Sequence, residues 1–111
     1  MGEEKLKQIM NVEKAKVLLC DYADSKLVSY SKDGKEHKFP MNSGIAGVVA
    51  TTGDFQNLAN AVNDNFYNGL VDIHTNMPLV VFPIRVNNEI IGVFEVINAK
   101  GIQGLSSTGK A

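Results

Sequence analysis

Two runs rich in β-branched residues, Leu79 to Val86 and Glu89 to Ile97, are separated only by Asn87 and Asn88. A link this short joins antiparallel neighbours, and asparagine tolerates the positive φ angles of a tight hairpin turn. Pro83 removes a ladder donor from the first run, so an edge, a bulge or a distortion is expected near it. Further strands are predicted upstream. Between Lys16 and Tyr22, the residues Val17, Leu18, Leu19 and Cys20 are apolar on both faces of a period-two pattern, which describes a central strand covered on both sides. Leu27 to Ser31 follows the turn-forming Ala23-Asp24-Ser25, and Asp33-Gly34 is a hairpin signal leading into Lys35 to Phe39.

Pro40 ends that third strand, and a helix is predicted from Gly44 to Thr52, closed by Gly53 in a left-handed cap. Asn42 or Ser43 is placed to cap its start, and Ile45, Val48 and Val49 form its inner stripe. Two glycines in the first turn weaken a helix by about 1 kcal/mol each relative to alanine, so a close backbone approach is the expected compensation. Such a start is also a natural anion site, because its first amides have no intrahelical partners. From Asp54 to Pro78 the period is lost, with six Asn and three Asp, and the reading is a short strand near Asn57-Leu58 followed by a broken, partly helical segment. Long irregular segments inside compact domains are usually binding loops or lids.

At the front, Leu6, Ile9 and Met10 recur at helical spacing with Glu3 four residues before Lys7, predicting a short amphipathic helix that docks on the domain or pairs with a second copy. After Lys100 the Gly, Ser and Thr content predicts loop or frayed chain. The organisation expected is therefore one domain over residues 1–111, with its core in 12–100, an N-terminal helix in 1–11 and a tail in 101–111.

With 111 residues, 44% hydrophobic and 21% charged, the chain has the balance of one soluble domain large enough to fold without disulfides. A net charge of −1 with scattered basic residues argues against nucleic acid, and no apolar run or leader pattern points to a membrane. A lone Cys20 fits a reducing, cytoplasmic setting and cannot form an internal disulfide. His37 and His74 lack ligand-spaced partners, so neither a metal nor a cofactor is expected, and no catalytic motif is present.

Glu95 is the most informative residue. It interrupts a strand whose same-face neighbours are Ile91, Val93 and Ile97. A regular two-residue hairpin would set Val80 opposite it, with Phe82 and Ile84 on the same face and Arg85 on the other. An unpaired carboxylate in apolar surroundings costs several kcal/mol or keeps its proton. Its donors should come from a ligand, from helix amides or from hydroxyls of the irregular segment, unless the strand end is simply wet.

From Phe39 to Ile97 the sequence resembles the GAF domain, in particular the regulatory GAF domains of cyclic-nucleotide phosphodiesterases and related cyclases. The resemblance is carried by Gly44-Ile45-Ala46-Gly47-Val48-Val49-Ala50-Thr51-Thr52-Gly53, then Asn57-Leu58, Asp64, Phe66, Asn68 and Val71-Asp72-Ile73-His74-Thr75. Phe82-Pro83-Ile84 and Ile91-Gly92-Val93-Phe94-Glu95-Val96-Ile97-Asn98 complete it. The resemblance implies an α+β fold: an antiparallel sheet of about six strands, PAS-like in architecture, with helices on one face and a small-molecule pocket on the other. The positions matched to the family's cyclic-nucleotide site are Ile45, Ala46, Tyr67, Asp72, Thr75 and Glu95, with the phosphate facing the helix amides.

The sequence departs from the family pattern at Asn76-Met77-Pro78, about three residues shorter than the usual loop, and at Lys32, where an aromatic residue is common. The closing motif is reduced to Asn98-Ala99-Lys100, and the family's C-terminal helix is expected to be missing. The function implied is a non-catalytic sensory domain, with a cyclic nucleotide as the ligand candidate, controlling an output domain outside this chain. The alternative is an unliganded module that pairs with a second copy through the N-terminal helix. Two catalytic or chromophore-bearing branches of the family, free methionine sulfoxide reductases and bilin carriers, do not fit, because Cys20 has no partner cysteine and is read as a strand residue.

Overall fold

The computed structural model describes residues 15–98. Six strands, β1 (Ala15–Asp21), β2 (Lys26–Tyr30), β3 (Glu36–Pro40), β4 (Gln56–Leu58), β5 (Leu79–Val86) and β6 (Glu89–Ile97), form one antiparallel sheet in the order β3-β2-β1-β6-β5-β4. One nine-residue helix, α1 (Gly44–Thr52), crosses one face, and a single 3-10 turn, Ala61–Asn63, breaks the segment between β4 and β5. The expected α+β sheet architecture is thus observed. The amphipathic stretch Leu6, Ile9 and Met10 and the tail from Gly101 lie outside the described residues.

The β5–β6 hairpin turns at Asn87 and Asn88 with φ of 52° and 69°, the left-handed values asparagine accommodates. Its register differs from the regular one. A bulge between Ile84 and Arg85 leaves Ile91 unpaired, so Val81 and not Val80 lies opposite Glu95. The residues sharing the Glu95 face on β5 are therefore Leu79, Val81 and Pro83, in place of the expected Val80, Phe82 and Ile84. Phe82 and Phe94 pair edge-to-face on the opposite side, with centroids 5.2 Å apart. Pro83 lies beyond the end of β4, which pairs only with Leu79 to Val81, so its missing N–H falls where β5 has no second neighbour among the described residues.

Arg85 also changes sides. Expected away from the Glu95 face, its guanidinium instead donates to the Gly53 carbonyl at 3.0 Å. A cation at a helix C-terminus is favoured by the helix dipole. Gly53 itself has φ 79° and returns its N–H to Val49, the left-handed cap that the sequence predicts.

The core lies between the sheet and α1. Leu18, Leu27, Leu79, Val81 and Val93 from the strands meet Ile45, Ala46, Val49 and Ala50 from the helix, with Val71 and Ile73 from the irregular segment. The helix stripe is rotated relative to the expected one: Ala46 and Ala50 are buried where Val48 is only partly so. Small residues let the helix lie close to the sheet. β1 is central in order, but its second face is open, since Val17 and Leu19 are 45% and 44% exposed. Gly47 explains one of the first-turn glycines, because a Cβ there would come within 2.4 Å of the Asn42 carbonyl carbon.

Candidate functional site

Glu95 and Asp72 form the polar centre of this core. Glu95 is fully buried and Asp72 is 2% exposed, although the chain around them is apolar. β6 carries Glu95 onto the helix-facing side of the sheet, between Val81 on β5 and Lys16 on β1. The irregular segment carries Asp72 between two apolar anchors, Val71 and Ile73, both wholly buried. Those anchors hold the polar residue at the start of α1.

Asp72 caps the helix from a distance in sequence. Its carboxylate accepts the Ile45 amide at 2.8 Å, the Ala46 amide at 3.1 Å and the Asn68 amide at 3.0 Å. The local cap expected from Asn42 or Ser43 is not used: Ser43 occupies the N-cap position with no side-chain bond. An ionised side chain outcompetes a hydroxyl for these donors because charge-assisted bonds are roughly twice as strong. Gly44, with φ of 71°, is the second first-turn glycine explained, since a Cβ there would lie 2.7 Å from an Asp72 oxygen.

Glu95 accepts one bond, from the Ile73 amide at 2.8 Å to Oε1. Its Oε2 is buried without a hydrogen-bond donor. The group it meets is the Asp72 carboxylate, so the two acids cannot both be ionised at low cost. Burial first, and then the hydrogen bond and charge of Asp72, push the Glu95 pKa up to about 10, against smaller opposing effects of the Ile73 amide and the Lys16 ammonium. Glu95 is thus a neutral acid at physiological pH, able to donate its own proton to Asp72. A wet strand end is excluded, and the donors are neither hydroxyls nor helix amides but one loop amide.

Lys16 comes from β1, the other neighbour of β6, which the hairpin pattern does not include. It pairs with Glu95 in register, donates to the Val71 carbonyl at 2.6 Å, and stands 5.9 Å above the Phe39 ring. The signal available in sequence was its place in period two with Leu18 and Cys20, a lone cation on the buried side of a strand.

The six predicted site residues are therefore only partly assembled. Ile45, Ala46, Asp72 and Glu95 meet directly or through Ile73, and Tyr67 joins them by donating its hydroxyl to the Ile73 carbonyl at 3.2 Å. Burial and the charges of Asp72 and Glu95 raise the Tyr67 pKa. Thr75 is buried but bonds locally, accepting the Met77 amide at 2.9 Å. Next to them is a groove of about 220 Å³ lined by Lys16, Ser29, Tyr30, Ser31, His37, Phe39 and Leu70. Lys16 connects the two. Among the described residues no His, Cys, Asp and Glu cluster has metal-binding geometry. Cys20 is partly buried, and burial raises its pKa, the opposite of what a nucleophile needs.

Comparison with known proteins places this arrangement in a fold family. Over 88 residues the chain is 34% identical to the probable 3′,5′-cyclic phosphodiesterase pde-5 of Caenorhabditis elegans, covering 76% of this chain and 12% of that protein. Over 67 residues it is 37% identical to the dual 3′,5′-cyclic-AMP and -GMP phosphodiesterase 11 of Drosophila melanogaster, covering 57% of this chain and 5% of that protein. The chain thus spans a small fraction of the length of these curated relatives. No family model matches it.

Among solved structures, the GAF domain of an Acinetobacter phosphoenolpyruvate-protein phosphotransferase superposes with a TM-score of 0.63 at 18% identity, over 86% of this chain and 61% of that one. The A. aeolicus nlh2 GAF domain gives 0.64 at 20% identity, over 96% and 75%. The free methionine-R-sulfoxide reductase of Neisseria meningitidis, solved with its substrate, gives 0.64 at 15% identity, over 95% and 65%. The chain has the fold of a GAF domain, and in sequence it is similar to cyclic-nucleotide phosphodiesterases.

Proposed function

We propose that this GAF-fold chain is a single non-catalytic regulatory domain that reads a small molecule, a cyclic nucleotide being the ligand candidate, and controls an output domain elsewhere in a longer cytoplasmic protein. The likeness to phosphodiesterases supports the regulatory setting. The observation that carries a binding role is the Glu95 carboxyl, fully buried with one oxygen lacking a donor. A fold gains nothing from such a group, since an apolar residue of similar volume would avoid the cost. As a protonated carboxyl, Glu95 could both donate to and accept from the edge of a base, in place of its bond to Asp72.

In this reading Ile45 and Ala46 present amides to the ligand's phosphate, Glu95 takes a donor of the base, and Tyr67, Asp72 and Thr75 line the space between. The groove beside Lys16 and Phe39 is the way in. Binding shifts the domain between two pre-existing arrangements of the irregular segment. Titration calorimetry with cyclic AMP and cyclic GMP tests it: saturable heat with either is expected, and no heat at millimolar concentration would sink the nucleotide reading.

A second reading is favoured by one observation, the Asp72 carboxylate already seated on the Ile45 and Ala46 amides. A site filled by the chain's own side chains suits an unliganded packing module, paired with a second copy through Leu6, Ile9 and Met10. Sedimentation at several concentrations decides. A strict monomer unaffected by Leu6→Asp counts against it.

A further inference from the structure

Lys16 sits on the helix-facing side of β1, partly buried, where its ammonium donates to the Val71 carbonyl and stands over the Phe39 ring. The ion pair formed among the described residues is Lys38 with Asp24, so within them no carboxylate lies at ion-pairing distance from Lys16. Its register partner on β6 is Glu95, which keeps its proton and bonds to the Ile73 amide and to Asp72. A carbonyl and a ring face offset only part of what desolvation costs a charge. An ammonium carries three donors, and the Val71 carbonyl takes one. Lys16 also lines the groove of about 220 Å³ beside the acid pair. Further donors lie in the same wall: the hydroxyl of Ser29, a residue 5% exposed, and the His37 ring, its register partner on β3. The rest is apolar, with Phe39 from β3 and Leu70 from the irregular segment, the latter 78% exposed. Leu70 precedes Val71, whose carbonyl Lys16 holds, so one cation fixes both a polar and an apolar wall.

We propose that this groove binds a small oxyanion carried on a flat apolar body, an aromatic carboxylate or phosphate ester, with the anion on Lys16, Ser29 and His37 and the body against Phe39 and Leu70. Apolar walls with a few convergent polar groups are the usual make-up of a small-molecule site. A neutral ligand would leave the ammonium without a counter-charge, whereas an oxyanion supplies it and accepts charge-assisted bonds. The Val71 carbonyl holds the ammonium in place before the ligand arrives, which lowers the ordering cost of binding. This site is independent of the nucleotide reading. Its anion lies on the strands, away from the start of α1, where Asp72 already holds the Ile45 and Ala46 amides.

Backbone amide NMR of the full chain tests it by titration with benzoate, phenyl phosphate and benzamide, the last keeping the ring without the charge. The expected result is a saturable shift of the Ser29, His37, Phe39 and Leu70 amides with at least one of the two anions, at a Kd on the order of 1 mM for ligands this small. The tighter of the two tells a carboxylate ligand from a phosphate one. Benzamide should bind about tenfold more weakly, and Lys16→Met should weaken the anion by about tenfold or more. If Lys16→Met does not fold, Leu70→Asp and Leu70→Asn decide, since the position is exposed and the two side chains differ in charge and not in shape. The aspartate should then bind the anion about threefold more weakly than the asparagine. No saturable shift with either anion, benzamide binding as tightly, an unchanged affinity in Lys16→Met, or equal affinities in the Leu70 pair would overturn the proposal. Shifts confined to Ile45 and Ala46 would also overturn it, and would place the anion at the start of α1, as the nucleotide reading has it.

Discussion

The carboxyl of Glu95 on β6 and the carboxylate of Asp72 in the irregular segment face each other inside the core, joined on one side by the Ile73 amide and on the other by the start of α1. Their positions are set by different elements, so neither can relax without moving a strand or a loop. Only a proton between them makes the arrangement tolerable.

Stability should therefore fall with rising pH across the neutral range. In the folded chain Glu95 holds its proton up to about pH 10, whereas in the unfolded chain it releases it near its ordinary value of 4.5. Its favourable contribution is fully present below 4.5 and is lost as pH rises towards 10. The slope is up to about 1.4 kcal/mol per pH unit for one proton. Urea melts at pH 5, 6, 7 and 8 measure it, and a flat or rising profile would contradict a neutral Glu95.

Glu95→Gln should raise stability at pH 7 by about 2 kcal/mol and remove most of that slope. The amide resembles the protonated acid: its oxygen can accept from the Ile73 amide, and its NH₂ can donate towards Asp72. The same substitution at an ordinary ionised carboxylate with protein donors would destabilise. The sign alone is decisive, and ligand titrations run in parallel report whether the group also meets a nucleotide.

Lys16→Met should cost about 1–2 kcal/mol at pH 7, through the lost charge-assisted bond to the Val71 carbonyl. Because the ammonium favours the ionised form of Glu95, its removal should also extend the falling pH profile to higher pH. Paired melts at pH 7 and 9 check both parts.

Gly47→Ala should destabilise by about 3 kcal/mol or more, although helix propensity alone favours alanine by about 1 kcal/mol. The added Cβ would meet backbone atoms of Asn42, which cannot swing aside as a flexible side chain could. Stabilisation in a chemical melt would show that α1 does not pack against that loop.

Much of this fold is legible in the sequence because its signals are local. Asn87-Asn88 marks the hairpin turn, and Gly53 ends α1 where the apolar pattern stops. Glu95 is conspicuous as an acid in an apolar strand. What was not legible depends on distance. The bulge opposite Ile91 falls beside Pro83, where the sequence predicts an edge, a bulge or a distortion, but the one-residue shift in pairing that reverses the expected side of Arg85 is not encoded in the spacing of the two runs. The cap of α1 comes from Asp72, 27 residues beyond the amide of Ile45, so the local rule pointed to Asn42 or Ser43. Lys16 reaches Glu95 across β1 and β6, a pairing known only once the strand order is known.

The protonation of Glu95 is the claim on which the site's chemistry turns, and side-chain carboxyl ¹³C NMR titration of isotopically labelled protein measures it directly. A neutral buried acid predicts that the Glu95 resonance keeps the chemical shift of a protonated carboxyl from pH 5 to pH 8. A resonance that titrates with a midpoint near 4.5 would show an ionised, solvated carboxylate and contradict the acid pair.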